Sequence, residues 1–273
     1  MVCCTIVTVR LHPRLVLVRQ IDRNLTLWLG TLAALAALNI GLWIWIARSA
    51  SLHTSYGEAQ LLLSGVYVAV CAFRSLFPRV DLERVCLWDT WLSGVLLGRT
   101  AATVAEFCFA LQCSLFAQRL SDITGMPLLA AVAHTFVPLV IVAELFCWYA
   151  VLSLNHIGHA MEESLWSLLM LMLSAIAGTA ALAADGSLRA MLIACFLIYG
   201  VGAGLTMAFD VRMYVRRWRL RTDDPRLTLA TGWHDSRSRR HQTIAWEVWR
   251  EEVPWMTLYF SIGVWTSLAM VLV

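Results

Sequence analysis

Residues 127–155 read "PLLAAVAHTFVPLVIVAELFCWYAVLSLN", and this run decides the fold class. It contains a single carboxylate, Glu144, and a single histidine, His134. An apolar run of about 20 residues is long enough to cross the hydrocarbon core of a bilayer as an α-helix. The run therefore predicts a transmembrane helix that carries an ionisable group inside it.

The same pattern recurs along the chain, in which 60% of the residues are hydrophobic and only 14% are charged. This composition lies outside the range of soluble domains and predicts an all-α, polytopic integral membrane protein, a bundle of seven transmembrane helices. The tight turn "ADGS" at 184–187 predicts that the fifth and sixth spans form an antiparallel hairpin. Residues 1–24 are interpreted as a cytoplasmic or interfacial segment and residues 25–273 as one transmembrane domain. The seven predicted spans are 25–47, 59–78, 91–116, 127–155, 164–184, 187–209 and 254–273.

The arginines give the bundle a direction. There is no lysine, which excludes a retinal Schiff base. Ten arginines lie in the loop 210–253, four lie in residues 1–24, and Arg74, Arg79 and Arg84 lie around the second span and the loop after it. Because positive residues concentrate on the cytoplasmic side, we predict a cytoplasmic N-terminus and an outer C-terminus. We place the chain in the bacterial inner (cytoplasmic) membrane.

The long loop 210–253 also bears on partners. Its tryptophans, including Trp246 and Trp249, and the following Trp255 lie among charged residues, as in helices of the headgroup layer. We predict that this loop binds anionic lipid headgroups, and the formal charge of +3 does not point to nucleic acid. Docking of a membrane-protein partner and homo-oligomer formation are the alternatives.

Ionisable side chains inside the spans are candidates for function, because each costs roughly 2.5–3.5 kcal/mol to insert unless it finds a partner. Arg99 and Glu144 lie roughly 7 and 5 Å to the cytoplasmic side of their span centres, at a rise of 1.5 Å per residue. We therefore predict an Arg99–Glu144 ion pair. Glu106 is expected to lack a cationic partner and to bond to a hydroxyl such as Thr103 or Ser174, which would suit a proton carrier or a packing contact.

Two histidines follow the fourth span. If that helix continues past Asn155, then His156, His159 and Glu163 share one face at i, i+3 and i+7, a spacing that can hold zinc or iron. A metal-free acid–base site and an ordinary solvated helix end are the alternatives. Neither an HExxH motif nor the histidine boxes of membrane desaturases are present.

These groups concentrate in the cytoplasmic half, which predicts a polar cavity open to that side. We favour a membrane-embedded enzyme acting on a lipidic or amphiphilic substrate. Arg74 and Arg99 would bind an anionic head group. The catalytic candidates are Glu106, Glu144, His156 and His159, and a transition metal (zinc or iron) is the candidate cofactor. A proton-coupled transporter and a non-catalytic subunit of a larger membrane complex remain open.

Overall fold

The structure, a computed structural model, describes residues 22–49, 54–220 and 226–273. In this part of the chain, six helices are long and apolar enough to cross a membrane: Arg23–Arg48, Ser55–Leu76, Val95–Thr124, Pro127–Ser153, His156–Ala183 and Gly186–Leu220. The protein is an all-α, multi-pass membrane protein. The N-terminal segment 1–24, apart from its last residues, lies outside the described residues.

The helices are numbered along the chain, and three very short strands lie between them. A 3₁₀ turn at Trp91–Ser93 precedes α3, and π-helical segments at Thr206–Val211 and Tyr259–Gly263 interrupt the later helices. The elements are α1 (Arg23–Ser49), α2 (Ser55–Leu76), β1 (Arg79–Val80), β2 (Val85–Cys86), α3 (Val95–Thr124), α4 (Pro127–Ala133), α5 (Phe136–Ser153), α6 (His156–Ala183), α7 (Gly186–Leu205), α8 (Arg212–Leu220), α9 (Leu229–Ser238), β3 (His241–Gln242), α10 (Trp246–Trp249), α11 (Val253–Leu258) and α12 (Val264–Met270).

The helix of the fourth span does not continue past Asn155, so the condition for a shared face of His156, His159 and Glu163 on that helix is not met. Helix α5 ends at Ser153, and Leu154 adopts a left-handed conformation with φ 55°. The Asn155 side chain then accepts a hydrogen bond from the Ile157 amide (3.3 Å) and caps α6. Asparagine is among the preferred N-cap residues. The histidines therefore begin a new helix, which starts eight residues before the predicted span 164–184.

The fourth span is also broken near its start, between α4 and α5. Pro138 lies two residues into α5 and has no amide hydrogen, so it cannot bond the carbonyl of His134 four residues earlier. The helix tightens and restarts at this point. His134 lies at the break and is exposed.

The predicted sixth span and loop also differ from the structure. The helix that begins at Gly186 passes through a π-helical segment and ends only at Leu220, so the loop does not begin at residue 210. The predicted seventh span, 254–273, is helical through α11, a π-helical segment and α12. It is not among the six long apolar helices.

The loops of the arginine-rich end fold together into what we term the polar cap, residues 77–94 and 226–250. Strand β2 pairs with β1 in antiparallel and with β3 in parallel orientation. Arg84 is 1% exposed and donates to Asp235 (2.9 Å) and to the carbonyls of Asp81 (2.6 Å) and Val151 (2.9 Å). These bonds join the two loops to the end of α5.

Trp249, one of the tryptophans among the charges of this region, lies in the protein interior. Its side chain is fully buried and donates to the carbonyl of Thr243 (2.9 Å), and its ring lies 6.0 Å from that of Trp28. The residue joins the cap to α1. Trp246 and Trp255 are half-buried.

The hairpin of α6 and α7 has the predicted arrangement, because Asp185 alone lies between Ala184 and the first residue of α7. The Ser174 hydroxyl donates to the carbonyl of Phe196 (2.8 Å). Elsewhere, buried amides join the helices: Gln112 donates to Gln60 (3.0 Å) and accepts from Ser267 (2.6 Å). These contacts satisfy polar groups that hydrocarbon cannot.

Candidate functional site

Arg99 and Glu144 form the predicted ion pair between α3 and α5. The Arg99 Nη2 atom donates to Glu144 Oε1 at 3.0 Å and to Oε2 at 3.3 Å. The two residues are 5% and 3% exposed. Glu144 also accepts a hydrogen bond from Thr103, whose oxygen accepts one from the Trp148 indole (3.0 Å). The pair is therefore held in a fixed geometry.

The expectation that Glu106 lacks a cationic partner was wrong. Its Oε1 atom lies 2.8 Å from Arg99 Nη2, while Thr103 donates to Glu144 and Ser174 to a backbone carbonyl. Side chains on a helix lean toward its N-terminus, so the carboxyl of Glu106 leans down toward Arg99 across the two intervening turns. Arg99 thus bridges two carboxylates. Among the described side chains, no donor meets Glu106 Oε2.

The histidines lie beside these carboxylates, on the first turns of α6. His159 Nδ1 lies 2.6 Å from Glu162 Oε2, and the rings of His156 and His159 lie 6.2 and 5.1 Å from that of Tyr214 in α8. His156 is 2% exposed. The histidines therefore stand in the protein interior against an aromatic ring.

A close approach of α5 and α6 brings the two sets of groups together. A Cβ atom on Gly158 would lie 2.6 Å from the carbonyl oxygen of Phe146 and 2.8 Å from the Cβ of Ala150. Only glycine permits this separation at the start of α6. As a result, Cys147 on α5 faces His159, which directly follows Gly158, and Glu162, which lies one turn further along α6.

Two groups of ligand atoms result, and they share Glu162. One atom each from Cys147, His159 and Glu162 lie within 4.8 Å of one another, and so do carboxylate oxygens of Glu106, Glu144 and Glu162. We call these five residues the acidic cluster. Glu163, predicted as a metal ligand, belongs to neither group, and neither does His156.

Sequence reasoning did not choose Cys147 or Glu162 as site residues. Cysteine in an apolar run usually acts as a small hydrophobic residue, but Cys147 lies three positions after Glu144 and thus on the same face of α5. That spacing is the signal that would have found it. Glu162 stands at i+3 from His159, but choosing it over Glu163 requires the rotation of α6.

Two further arginines lie next to the cluster, in the last turn of α2 and in β1. The Cζ atom of Arg74 stands 5.6 Å from the Trp255 ring centroid and 5.9 Å from that of Phe260. Arg79 is 1% exposed, and its Nε donates to Asp81 (2.7 Å). Sequence reasoning counted Arg79 only as a topology signal.

Electrostatics in the cap are dominated by these cations. Burial lowers the pKa of Arg79, Asp81 opposes that effect, and the nearby Arg74 and Arg99 lower it further. Burial by itself would raise the pKa of Asp81, but Arg79, Arg74 and Arg99 bring it below its ordinary value. The positive charge therefore keeps Asp81 ionised.

Comparison of the chain with protein-family models, curated proteins and solved structures finds no match. Functional reasoning therefore proceeds from the geometry alone.

Proposed function

We propose that this protein is a membrane-embedded enzyme that acts on a lipidic or amphiphilic substrate reached from the arginine-rich, cytoplasmic side. The observation that carries the proposal is the acidic cluster, in which three carboxylates, an imidazole and a thiol from three helices meet inside the bundle. Ionisable groups at membrane depth are rare and mark functional sites by default. A packing role alone does not require five such groups.

In the proposed site, Cys147, His159 and Glu162 bind a transition metal. Sulfur, nitrogen and carboxylate oxygen are all zinc ligands, and catalytic zinc sites use three protein ligands with one position left for water or substrate. A bound zinc ion would acidify a water molecule held at that position. Glu106 and Glu144 stand beside these ligands as proton acceptors and donors, and Arg99 holds both carboxylates in place. His156 packs with His159 against Tyr214 and would position that ring.

Metal analysis of the purified full-length protein in detergent tests the ligand assignment. We expect about one zinc or iron per chain, lost in Cys147→Ala and in His159→Ala. Cys113→Ala is the matched control, because Cys113 is equally buried but lies outside the two ligand groups. Metal content that is unchanged in both variants would remove the metal from the proposal.

The enzyme assignment has its own test. The protein would be incubated with a bacterial polar lipid extract, and the lipids compared by mass spectrometry with those from Glu144→Gln. A lipid product formed by the wild type and absent with the variant supports the enzyme. The same lipid profile for both proteins would contradict it.

A proton-coupled carrier is the second candidate, and interrupted helices favour it. Helices α4 and α5 are separated at His134, and π-helical segments interrupt the helix that begins at Gly186 and the C-terminal helix. Transporters place broken helices at their binding sites, and π-bulges frequently occur at functional sites. Proton uptake into liposomes, driven by a substrate gradient and abolished in Glu144→Gln, would favour the carrier.

We also infer that the C-terminal helix is a seventh span. Trp255 lies near Arg74 in the last turn of α2, whereas the carbonyl of Met270 accepts a hydrogen bond from Tyr56 in the first turn of α2 (2.9 Å). These contacts support a helix that runs the full length of α2. With the polar cap in the cytoplasm of a bacterial inner membrane, against anionic headgroups, the C-terminus is outside. Cysteine labelling in intact cells tests this: a cysteine at residue 273 should react and one at residue 237 should not.

A further inference from the structure

The three arginines beside the acidic cluster are unequally supplied with carboxylates. Arg99 is occupied by Glu106 and Glu144. Arg79 has one carboxylate, Asp81, which it contacts through Nε. Arg74 makes neither an ion pair nor a hydrogen bond with any residue that the structure describes, and its guanidinium faces two aromatic rings. Among the described residues, Arg74 therefore has no carboxylate of its own, and Arg79 contacts one.

Arg79 also has two unused donors. Its Nη1 and Nη2 atoms are buried, and neither meets an acceptor within the described part of the chain. Buried polar groups are almost always hydrogen-bonded, and a charged donor that is left unpaired is especially costly. The two terminal nitrogens of a guanidinium form a planar fork that matches two oxygens of a phosphate or carboxylate.

The missing side chain of Gly98 leaves room for this guanidinium. A Cβ atom on Gly98 would lie 1.1 Å from Arg79 Nη1 and 1.4 Å from its Cζ. The guanidinium therefore lies in the position that any other residue at 98 would occupy. Gly98 immediately precedes Arg99, so the fork of Arg79 packs against the turn of α3 from which the bridging arginine extends.

We infer that Arg79 and Arg74 form a binding site for a phosphate group, which we assign to the head of an anionic phospholipid of the phosphatidate class. Arg74 stands in the last turn of α2, at the end of this helix that leads into the polar cap. Arginine is favoured for phosphate because its fork bonds two oxygens at once. Leu76, two residues on, is 52% exposed and offers an apolar surface to acyl chains.

The inference rests on the proposed function only in making this phosphate the head of the substrate. Bound there, the head group would hold the rest of the lipid next to Glu106 and Glu144. Binding itself is separable from turnover and from metal content, so each is measured independently.

Binding is measured on the full-length protein in a phosphate-free maltoside detergent. Native mass spectrometry and thermal unfolding would be recorded with dioleoyl phosphatidate, with dioleoyl phosphatidylcholine and with inorganic phosphate. We expect one phosphatidate per chain and a raised Tm, with binding at least about tenfold weaker for phosphatidylcholine. Inorganic phosphate that binds as tightly as phosphatidate would assign the site to free phosphate and overturn the lipid assignment.

Two variants test the residues. Arg74→Gln removes a cation that has no ion pair, and the double variant Arg79→Gln/Asp81→Asn removes both members of a buried pair so that neither charge is stranded. Each should weaken phosphatidate binding about tenfold or more. Arg237→Gln, at an exposed position of the cap, should bind like the wild type. Wild-type affinity in both test variants would overturn the inference, as would equal binding of phosphatidylcholine.

The outcomes separate the two proposals. Loss of phosphatidate binding in Arg74→Gln, with metal content retained, identifies the phosphate site alone. Retained binding in Cys147→Ala, with the metal lost, identifies the metal site alone.

Discussion

Arg99 Nη2 contacts Glu144 at 3.0 Å and Glu106 at 2.8 Å, so one guanidinium nitrogen serves two buried carboxylates from two helices. Removing Arg99 would strand both carboxylates where water cannot solvate them. Breaking a buried ion pair by removing one partner typically costs about 3–5 kcal/mol. We expect Arg99→Gln to lose about this much stability, measured by unfolding in mixed micelles with increasing SDS.

Two further variants control that prediction. Arg189→Gln, at an exposed position of α7, should unfold like the wild type. The triple variant Arg99→Met/Glu106→Gln/Glu144→Gln should recover part of the loss, because neutral side chains leave no unpaired charge. If Arg99→Gln is as stable as Arg189→Gln, the bridge does not contribute to stability.

Gly98→Ala tests the packing contact between Gly98 and the Arg79 guanidinium. The new Cβ would overlap Arg79 Nη1, at 1.1 Å, so the arginine has to move. Overpacking of this kind costs about 1–3 kcal/mol. Gly204→Ala is the matched helical control, because nothing lies within 4 Å of its Cβ position. Both variants would be compared by thermal unfolding in detergent, and equal Tm values would show that Arg79 is not held against α3.

Arg84→Lys tests how the polar cap is attached. The guanidinium donates from three nitrogens to Asp235, Asp81 and Val151, a fork that the single ammonium of lysine cannot reproduce. Losing one hydrogen bond to a charged group costs about 1.5–3 kcal/mol, so the cap should open more often. Limited trypsin digestion should then cut faster within α9.

Arg237→Lys serves as the control for the digestion, since it keeps a trypsin site at an exposed position. Its cleavage rate should match the wild type. The attachment through Arg84 would be contradicted by equal rates for Arg84→Lys and this control.

Glu252 should give the stability a dependence on pH. Burial, partly opposed by the hydrogen bond from the Trp255 indole, raises the pKa of Glu252 from 4.5 to about 7. The folded state therefore binds this proton more tightly than the unfolded state does. The stabilisation is complete below about pH 4.5 and is lost as the pH rises through about 7.

Thermal unfolding at pH 5 and pH 8 measures this effect. The drop in Tm should be a few degrees larger for the wild type than for Glu252→Gln, which cannot titrate. Glu251→Gln, at an exposed neighbour, should keep the wild-type drop. Equal drops for the wild type and Glu252→Gln would show that this carboxyl does not control the dependence.

Much of the fold could be predicted from local pattern. The six long helices coincide with apolar runs, because a chain segment in hydrocarbon has to satisfy its backbone hydrogen bonds within a helix. The breaks could not be placed in the same way. Pro138 was visible in the sequence, but a proline inside a span predicts either a kink or a restart. Leu154 adopts its left-handed conformation at a residue type that rarely takes it, so the pattern offered no signal.

For the candidate site, the sequence predicts only how deep each side chain lies along its own span. Arg99 and Glu144 were matched because both lie at a similar distance from their span centres. The partner of Glu106 was predicted wrongly, because the direction of its side chain, toward the N-terminus of α3, was not considered. Cys147 and Arg79 were overlooked as site residues, since a cysteine in an apolar run and an arginine after one are both ordinary.

The sequence by itself determined that this protein is helical, lies in a membrane and carries its charges toward one end. Those properties follow from hydropathy and residue type, which act on each segment separately. Only the tertiary structure decided that Glu162 meets Cys147 and that Arg79 lies against Gly98. Which faces of two helices meet depends on their rotation and closest approach. Lipid tails are as apolar as the helix surfaces, so small residues and polar contacts set that choice.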